Sequence, residues 1–128
     1  MKLTLFDNKV TDQRLLISTI RNAKEVEPIT VNANSMAYYI DCDPMSIRRI
    51  EDALSSWTSL GLSTITWTLA DNTTVELTQL ELQELLNNTI LARACRAEQL
   101  HDYSSTQKAL LPVADDHTMF DEDTWPAF

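Results

Sequence analysis

Glycine is almost missing from this chain: Gly61 is the single one among 128 residues. Loops that cradle phosphates on backbone N–H groups need several closely spaced glycines, so the common nucleotide-binding loops are excluded. Tight turns must instead be made by Asn, Asp, Pro and Ser. Cysteine is scarce as well. Cys42 and Cys95 are too few for a disulfide framework and lack the C-x-x-C spacing of a structural zinc site, so both are expected as buried, reduced thiols. No apolar run exceeds a few residues, against the roughly 20 that cross a bilayer, and the start MKLTLFDNKV has no signal-peptide core. Neither a membrane span nor export is expected. Basic residues are outnumbered, ten Lys plus Arg against nineteen Asp plus Glu, and the resulting charge of -9 repels a phosphate backbone. Direct nucleic-acid binding is therefore disfavoured.

What is present is an ordinary globular composition, with 44% hydrophobic and 23% charged residues, enough apolar surface to offset the entropy of ordering the chain. The length suits one compact domain, placed at residues 1–111, followed by an arm over 112–128. The arm contains no Lys or Arg but holds Asp115, Asp116, Asp121, Glu122 and Asp123.

The segment LTLF at the start alternates weakly and reads as a strand, and Thr11 or Asp12 is placed to cap a short helix carrying Leu15, Leu16, Ile17 and Ile20. ITV and MAYYI, separated by an Asn-rich turn, have the β-branched and aromatic content of short strands. Asp43 as N-cap and Pro44 at the first helical position then open a helix in which Ile47, Ile50, Ala53, Leu54 and Trp57 fall on one face, ending near Gly61. STITWTLADNTTVEL puts Ile65, Trp67 and Leu69 on one side, turns at Asp71 and Asn72, and resumes with Val75 and Leu77. This reads as a β-hairpin. Thr78 and Glu81 make a capping box for a helix running to about Leu110, roughly 45 Å if continuous, with Leu82, Leu86, Ile90, Ala97, Leu100 and Ser104 as its stripe. That stripe suits either packing on the hairpin or self-association into a homo-oligomer. The whole is an α+β fold: small N-terminal strands, a capped helix, a β-hairpin, one long C-terminal helix and the extended acidic and aromatic tail.

No catalytic constellation emerges. Cys95 and His101 are six positions apart on the long helix and face roughly opposite sides, so they form no nucleophile and base pair. Asp41, Asp43, Glu51 and Asp52, and separately Asp71 with Asn72, lack the glycine-centred pattern of a calcium loop, and capping and turn formation account for Asp43 and Asp71 without an ion. No catalytic residue, metal ligand or cofactor is assigned. Trp57 and Trp67 are expected in the core by phase, and Arg48 and Arg49 on a solvated face. The arm stands apart, because Met119, Phe120, Trp125 and Phe128 are residue types that anchor interfaces, set here among acids. They either fold back over their own domain or dock on a partner protein.

The order of elements from Ile40 to about Leu110 carries a resemblance. Ile40-Asp41-Cys42-Asp43, Ser46 through Arg49-Ile50, Ala53-Leu54, Trp57, Leu60-Gly61, Trp67-Thr68-Leu69-Ala70-Asp71-Asn72-Thr73 and Leu77-Thr78 together resemble a phage and prophage tail-associated domain family of unassigned molecular function. The resemblance implies a non-catalytic bacteriophage tail accessory protein that binds a tail or tail-fibre protein, as assembly chaperone or adaptor or as a small tail subunit. Its place would be the host bacterial cytoplasm during assembly, or the virion tail. The rival expectation is an acidic phage inhibitor of a host nucleic-acid enzyme, and residues 1–111, with fourteen acids against ten bases, are only weakly acidic for such a mimic.

Overall fold

The computed structural model describes residues 5–110 and 125–128, with side chains described from residue 13 onward. The described residues form eight elements in order: α1 (Leu5–Glu25), β1 (Ile29–Ala33), β2 (Met36–Ile40), α2 (Pro44–Ser55), α3 (Trp57–Leu60), β3 (Ile65–Thr68), β4 (Thr74–Leu77) and α4 (Gln79–Ala109). The architecture is mixed α+β, with two antiparallel strand pairs and a long last helix. Among the described residues no helix is long and apolar enough to cross a membrane. The chain divides into two compact units, residues 26–95 and residues 1–25 with 96–128.

In the first of these units each strand pair is set by its turn. Asn34 and Ser35, with φ of 52° and 61°, make a two-residue connection with both central residues left-handed, and the register pairs Ala33 with Met36 and Ile29 with Ile40. Positive φ at both positions is the type I′ turn whose twist matches a hairpin. Asn is at home there. Ser is not, because its Cβ crowds the backbone in that conformation. The second hairpin closes differently: Leu69 donates its N–H to the Thr73 carbonyl at 2.8 Å, Asn72 donates to the Leu69 carbonyl at 3.0 Å, and Asn72 is left-handed at φ 66°. This is a three-residue loop ending in a left-handed bulge residue, and Asp71 braces it by accepting from the N–H and hydroxyl of Thr73.

The alternation of the strands buries Val31, Ala33, Tyr38, Ile40 and Leu77. They meet Ile47 and Ile50 of α2, Trp57 of α3, Leu69, and Leu82, Leu85 and Leu86 of α4 in one cluster. Asp43 caps α2 through Ser46, and Pro44 occupies the first turn, as the sequence requires. The helix does not run unbroken to Gly61, however. Ser56 leaves helical geometry at φ -94°, ψ 0°, a conformation in which Ser is at less disadvantage than mid-helix, and α3 restarts at Trp57 and ends at Gly61 in a left-handed cap. Trp57 is buried as expected, whereas Trp67 is only half-buried.

The other unit corrects the N-terminal reading. Leu5 and Phe6 of the proposed strand are helical, and Thr11 and Asp12 lie inside α1 rather than capping it. A four-residue alternation with no partner strand competes poorly with extending a helix already nucleated downstream. Ile17 and Ile20 are buried with Leu100 and Trp125, Tyr103 packing at the edge, while Leu15 and Leu16 face out. The guanidinium of Arg96, a buried side chain, donates to the Glu25 carbonyl at 2.7 Å. A cation on the last carbonyls of α1 satisfies an acceptor the helix leaves open and opposes its dipole.

The buried stripe of α4 also differs from expectation. It runs through Leu82, Leu85, Leu86, Thr89, Arg96, Leu100 and Ser104, whereas Ile90 is exposed. At about 100° per residue Ile90 lies roughly 80° from Leu82, while Thr89 lies within about 20° of it. Phase prevails over apolar identity here. Thr89 and Ser104 tolerate burial because their hydroxyls donate to carbonyls of their own helix, Leu85 at 2.6 Å and His101 at 2.9 Å. Cys95 is exposed, not buried; only Cys42 is the buried thiol, donating to the Glu27 carbonyl.

The left-handed Ser35 yields a direct test. Ser35→Gly is expected to raise stability by about 0.5–1 kcal/mol, the relief of strain exceeding the entropy that glycine adds to the unfolded chain. Urea unfolding checks this, with Ser35→Val expected to destabilise; a glycine variant weaker than the parent would show that the turn is not what the backbone angles say.

Candidate functional site

Among the described residues, three places that gather polar or aromatic side chains stand out. The first lies in the 26–95 unit, where the end of β2, the start of α2 and the strand β3 leave a cleft of about 240 Å³. Asp41, Ser46 and Arg49 line it together with Thr66, Trp67 and Thr68, and Ile40 also contributes. Its volume is below the roughly 300–1,000 Å³ of pockets that enclose whole cofactors or drug-sized ligands. Short polar segments fit; large molecules do not. Arg49, read from sequence as part of a solvated face, is exposed and makes no ion pair among the described residues. Asp43 sits beside this region but is committed to the helix. The Ser46 hydroxyl and N–H both donate to it, and that hydrogen bonding holds its carboxyl below the ordinary value of 3.8.

A second hollow lies at the tip of the first hairpin, lined by residues 32–37 with Glu84 and Asn88. Its polar groups are already used. The Asn34 N–H donates to the Glu84 carboxylate, the Asn34 amide to the Glu81 carbonyl at 3.0 Å, and the Asn88 amide to the Asn32 carbonyl at 2.9 Å. These bonds staple the hairpin to α4. They leave little unsatisfied polarity for a ligand.

The third is aromatic. Trp125 is buried, its ring centroid 4.7 Å from that of Tyr103 at an interplanar angle of 59°, and Phe128 stands edge-on to Tyr103 at 6.1 Å. Tilted and edge-to-face pairs at such distances are favourable beyond the area they bury. Of the arm residues singled out in the sequence, Trp125 therefore sits on its own chain, following the fold-back alternative, and Phe128 is partly exposed. Met119, Phe120 and the acids from Asp115 to Asp123 lie outside the described residues. Tyr103 was the partner that sequence reasoning missed, although its place three residues after Leu100 on α4 was the available signal.

The residues weighed for catalysis stay apart. Cys95 and His101 are both exposed on α4, Cys42 is enclosed in the core of the 26–95 unit, and none of the three lines the cleft. Asp71 is a turn residue whose carboxyl is held below 3.8 by the Thr73 hydroxyl and N–H. Among the described residues no group of three or more His, Cys, Asp or Glu comes close enough to hold a metal ion.

A family model covers residues 10–124, nearly the whole of the chain. The chain belongs to DUF4376, a family described as a domain of unknown function. The match reaches beyond the stretch from Ile40 to Leu110, taking in most of α1 and all but the last residues of the arm. No curated protein and no solved structure matches the chain. The burial of Trp125, one residue past the DUF4376 match, predicts a structural penalty. Trp125→Ala should destabilise the protein by about 3–5 kcal/mol, as truncation of a buried aromatic does, measured by chemical denaturation with Tyr103 as the neighbouring probe. An unchanged midpoint would show that Trp125 does not pack on its own chain.

Proposed function

We propose that this DUF4376 domain is a non-catalytic interaction protein of a tailed bacteriophage that binds a tail or tail-fibre protein, as assembly chaperone, adaptor or small tail subunit. The observation that carries the reading is a contiguous apolar patch on α4: Ile90 and Leu91 are exposed at 46% and 64%, and Ala94 and Cys95, three to five positions on, are exposed beside them. Residues at such spacings are neighbours on a helix surface. Single exposed leucines need no explanation, but a cluster rimmed by polar residues such as Asn87 and Glu98 is the usual mark of a protein contact. The phage tail as setting is supported by the ordered resemblance from Ile40 to Leu110, and either the host cytoplasm during assembly or the virion tail fits it.

The patch replaces the arm as the leading contact, since Trp125 is engaged within the chain while Phe128 remains partly exposed. Burying Leu91 in an interface is worth about 1.5–3 kcal/mol, so placing a charge there should weaken association at least tenfold. Tagged protein purified from infected cells is expected to retain a tail or tail-fibre protein, and the Leu91→Glu variant, with its melting temperature little changed, is expected to lose it. Capture of a host nuclease or polymerase instead would favour the acidic-inhibitor reading. Retention of the tail protein by Leu91→Glu would remove the patch from the interface, and a mass that doubles with concentration and reverts in Leu91→Glu would assign it to a second copy of the chain.

A further inference from the structure

The two hairpins of the 26–95 unit stop just short of forming one sheet. In a two-residue hairpin the pair flanking the turn exchanges hydrogen bonds and the pairs then alternate, so Ala33–Met36, Val31–Tyr38 and Ile29–Ile40 are the bonded pairs and Ala37, Tyr39 and Asp41 turn their backbone groups to the other edge of β2. The same alternation starts in the second hairpin from the bond between Leu69 and Thr73. It makes Trp67–Val75 and Ile65–Leu77 the bonded pairs and turns the N–H and C=O of Thr66 and Thr68 outward. The two outward edges touch once: Ala70 donates its N–H to the Tyr39 carbonyl at 2.9 Å. Beyond that bond no further backbone hydrogen bond joins the two edges, Asp41, Arg49, Thr66 and Thr68 line the cleft beside them, and neither threonine makes a further backbone bond to a described residue.

We infer that this cleft receives a short extended segment of a partner protein, paired as an added strand on the Thr66–Thr68 edge of β3 and carrying an acidic side chain opposite Arg49. The inference rests on the interaction reading above and specifies a second contact within it. Unpaired strand edges are templates for another chain, and natural proteins usually blunt them with charges, proline or a covering element. Here Thr66 and Thr68 are exposed and uncharged, and proline is absent from β3. The volume of about 240 Å³ excludes a large ligand but admits a narrow backbone with small side chains. Of the two charged residues lining the cleft, Asp41 and Arg49, the guanidinium is the one that decides what the segment carries opposite it. Arg49 lines the cleft without an ion pair among the described residues, and a guanidinium takes a carboxylate by two parallel hydrogen bonds. Hydroxyls of Ser46, Thr66 and Thr68 add neutral partners along the same path.

The test uses the full chain, labelled with ¹⁵N, and a capped seven-residue peptide alternating Val and Thr around a central Glu, with its Gln counterpart. The Glu peptide is expected to shift the amides of Thr66 and Thr68 and the guanidinium of Arg49, and to bind about tenfold more tightly than the Gln peptide. Thr68→Pro removes one outward N–H while leaving the bonded pairs of the hairpin, a substitution edge strands tolerate, and is expected to abolish binding. Arg49→Gln, on an exposed position, is expected to erase the difference between the two peptides. The proposal is overturned by absence of saturable shifts up to about 1 mM peptide, by shifts centred elsewhere, or by equal binding to Thr68→Pro. If the tail protein is captured by Thr68→Pro as by the parent but lost by Leu91→Glu, the interaction reading stands and the strand-edge contact falls.

Discussion

Both hydrophobic clusters lean on the phase of α4. Leu82, Leu85 and Leu86 supply the helical side of the core that both hairpins and α2 cover, and farther along the same helix Leu100 meets Ile17, Ile20 and Trp125. One helix thus serves two separate clusters. Between them the stripe changes character, because Thr89 and Arg96 occupy positions where an apolar side chain would ordinarily sit. Each is tolerated for a local reason, Thr89 by bonding its own helix and Arg96 by closing the end of α1. The consequence of that phase is that Ile90, Leu91, Ala94 and Cys95 turn outward together, and the proposed partner surface is a by-product of where the two cores need their leucines.

The same unit shows how a chain with a single glycine makes its turns. Asn34, Ser35 and Asn72 take left-handed backbone that glycine would adopt at no steric cost, and side-chain bonds from Asn34 to α4 and from Thr73 to Asp71 hold those turns in place. The strand pairs are short, four or five residues each, so their stability comes from packing on α4 rather than from the ladders themselves. Leaving the two pairs joined by one hydrogen bond keeps an edge open beside Arg49, where a longer sheet would have closed it.

Local rules made much of this legible from residues alone. The Thr78 and Glu81 capping box is reciprocal in the structure, Asp43 caps α2 through Ser46, and Asp71 with Asn72 reverses the second hairpin. Each of those signals lies within a few residues and has a single chemistry. What was not legible depends on phase accumulated over distance or on partners far apart in sequence. By apolar identity Ile90 joins a stripe that suits either packing or self-association, yet a spacing of eight from Leu82 carries it off the buried phase. The first turn of α1 looked like a strand because four alternating residues say little. Sequence leaves Trp125 open between folding back and docking because nothing near it announces Tyr103, and the cleft unites positions 41, 49 and 66–68, which no local pattern links.

Amide hydrogen exchange along α4 addresses the central claim most directly, since it reads the two clusters through the one element they share. The account predicts slow exchange in two blocks, from Leu82 to Thr89 and from Leu100 to Ser104, each slower than the frayed end at Leu110. Protection confined to the first block, with Leu100 to Ser104 exchanging as fast as the helix end, would contradict it.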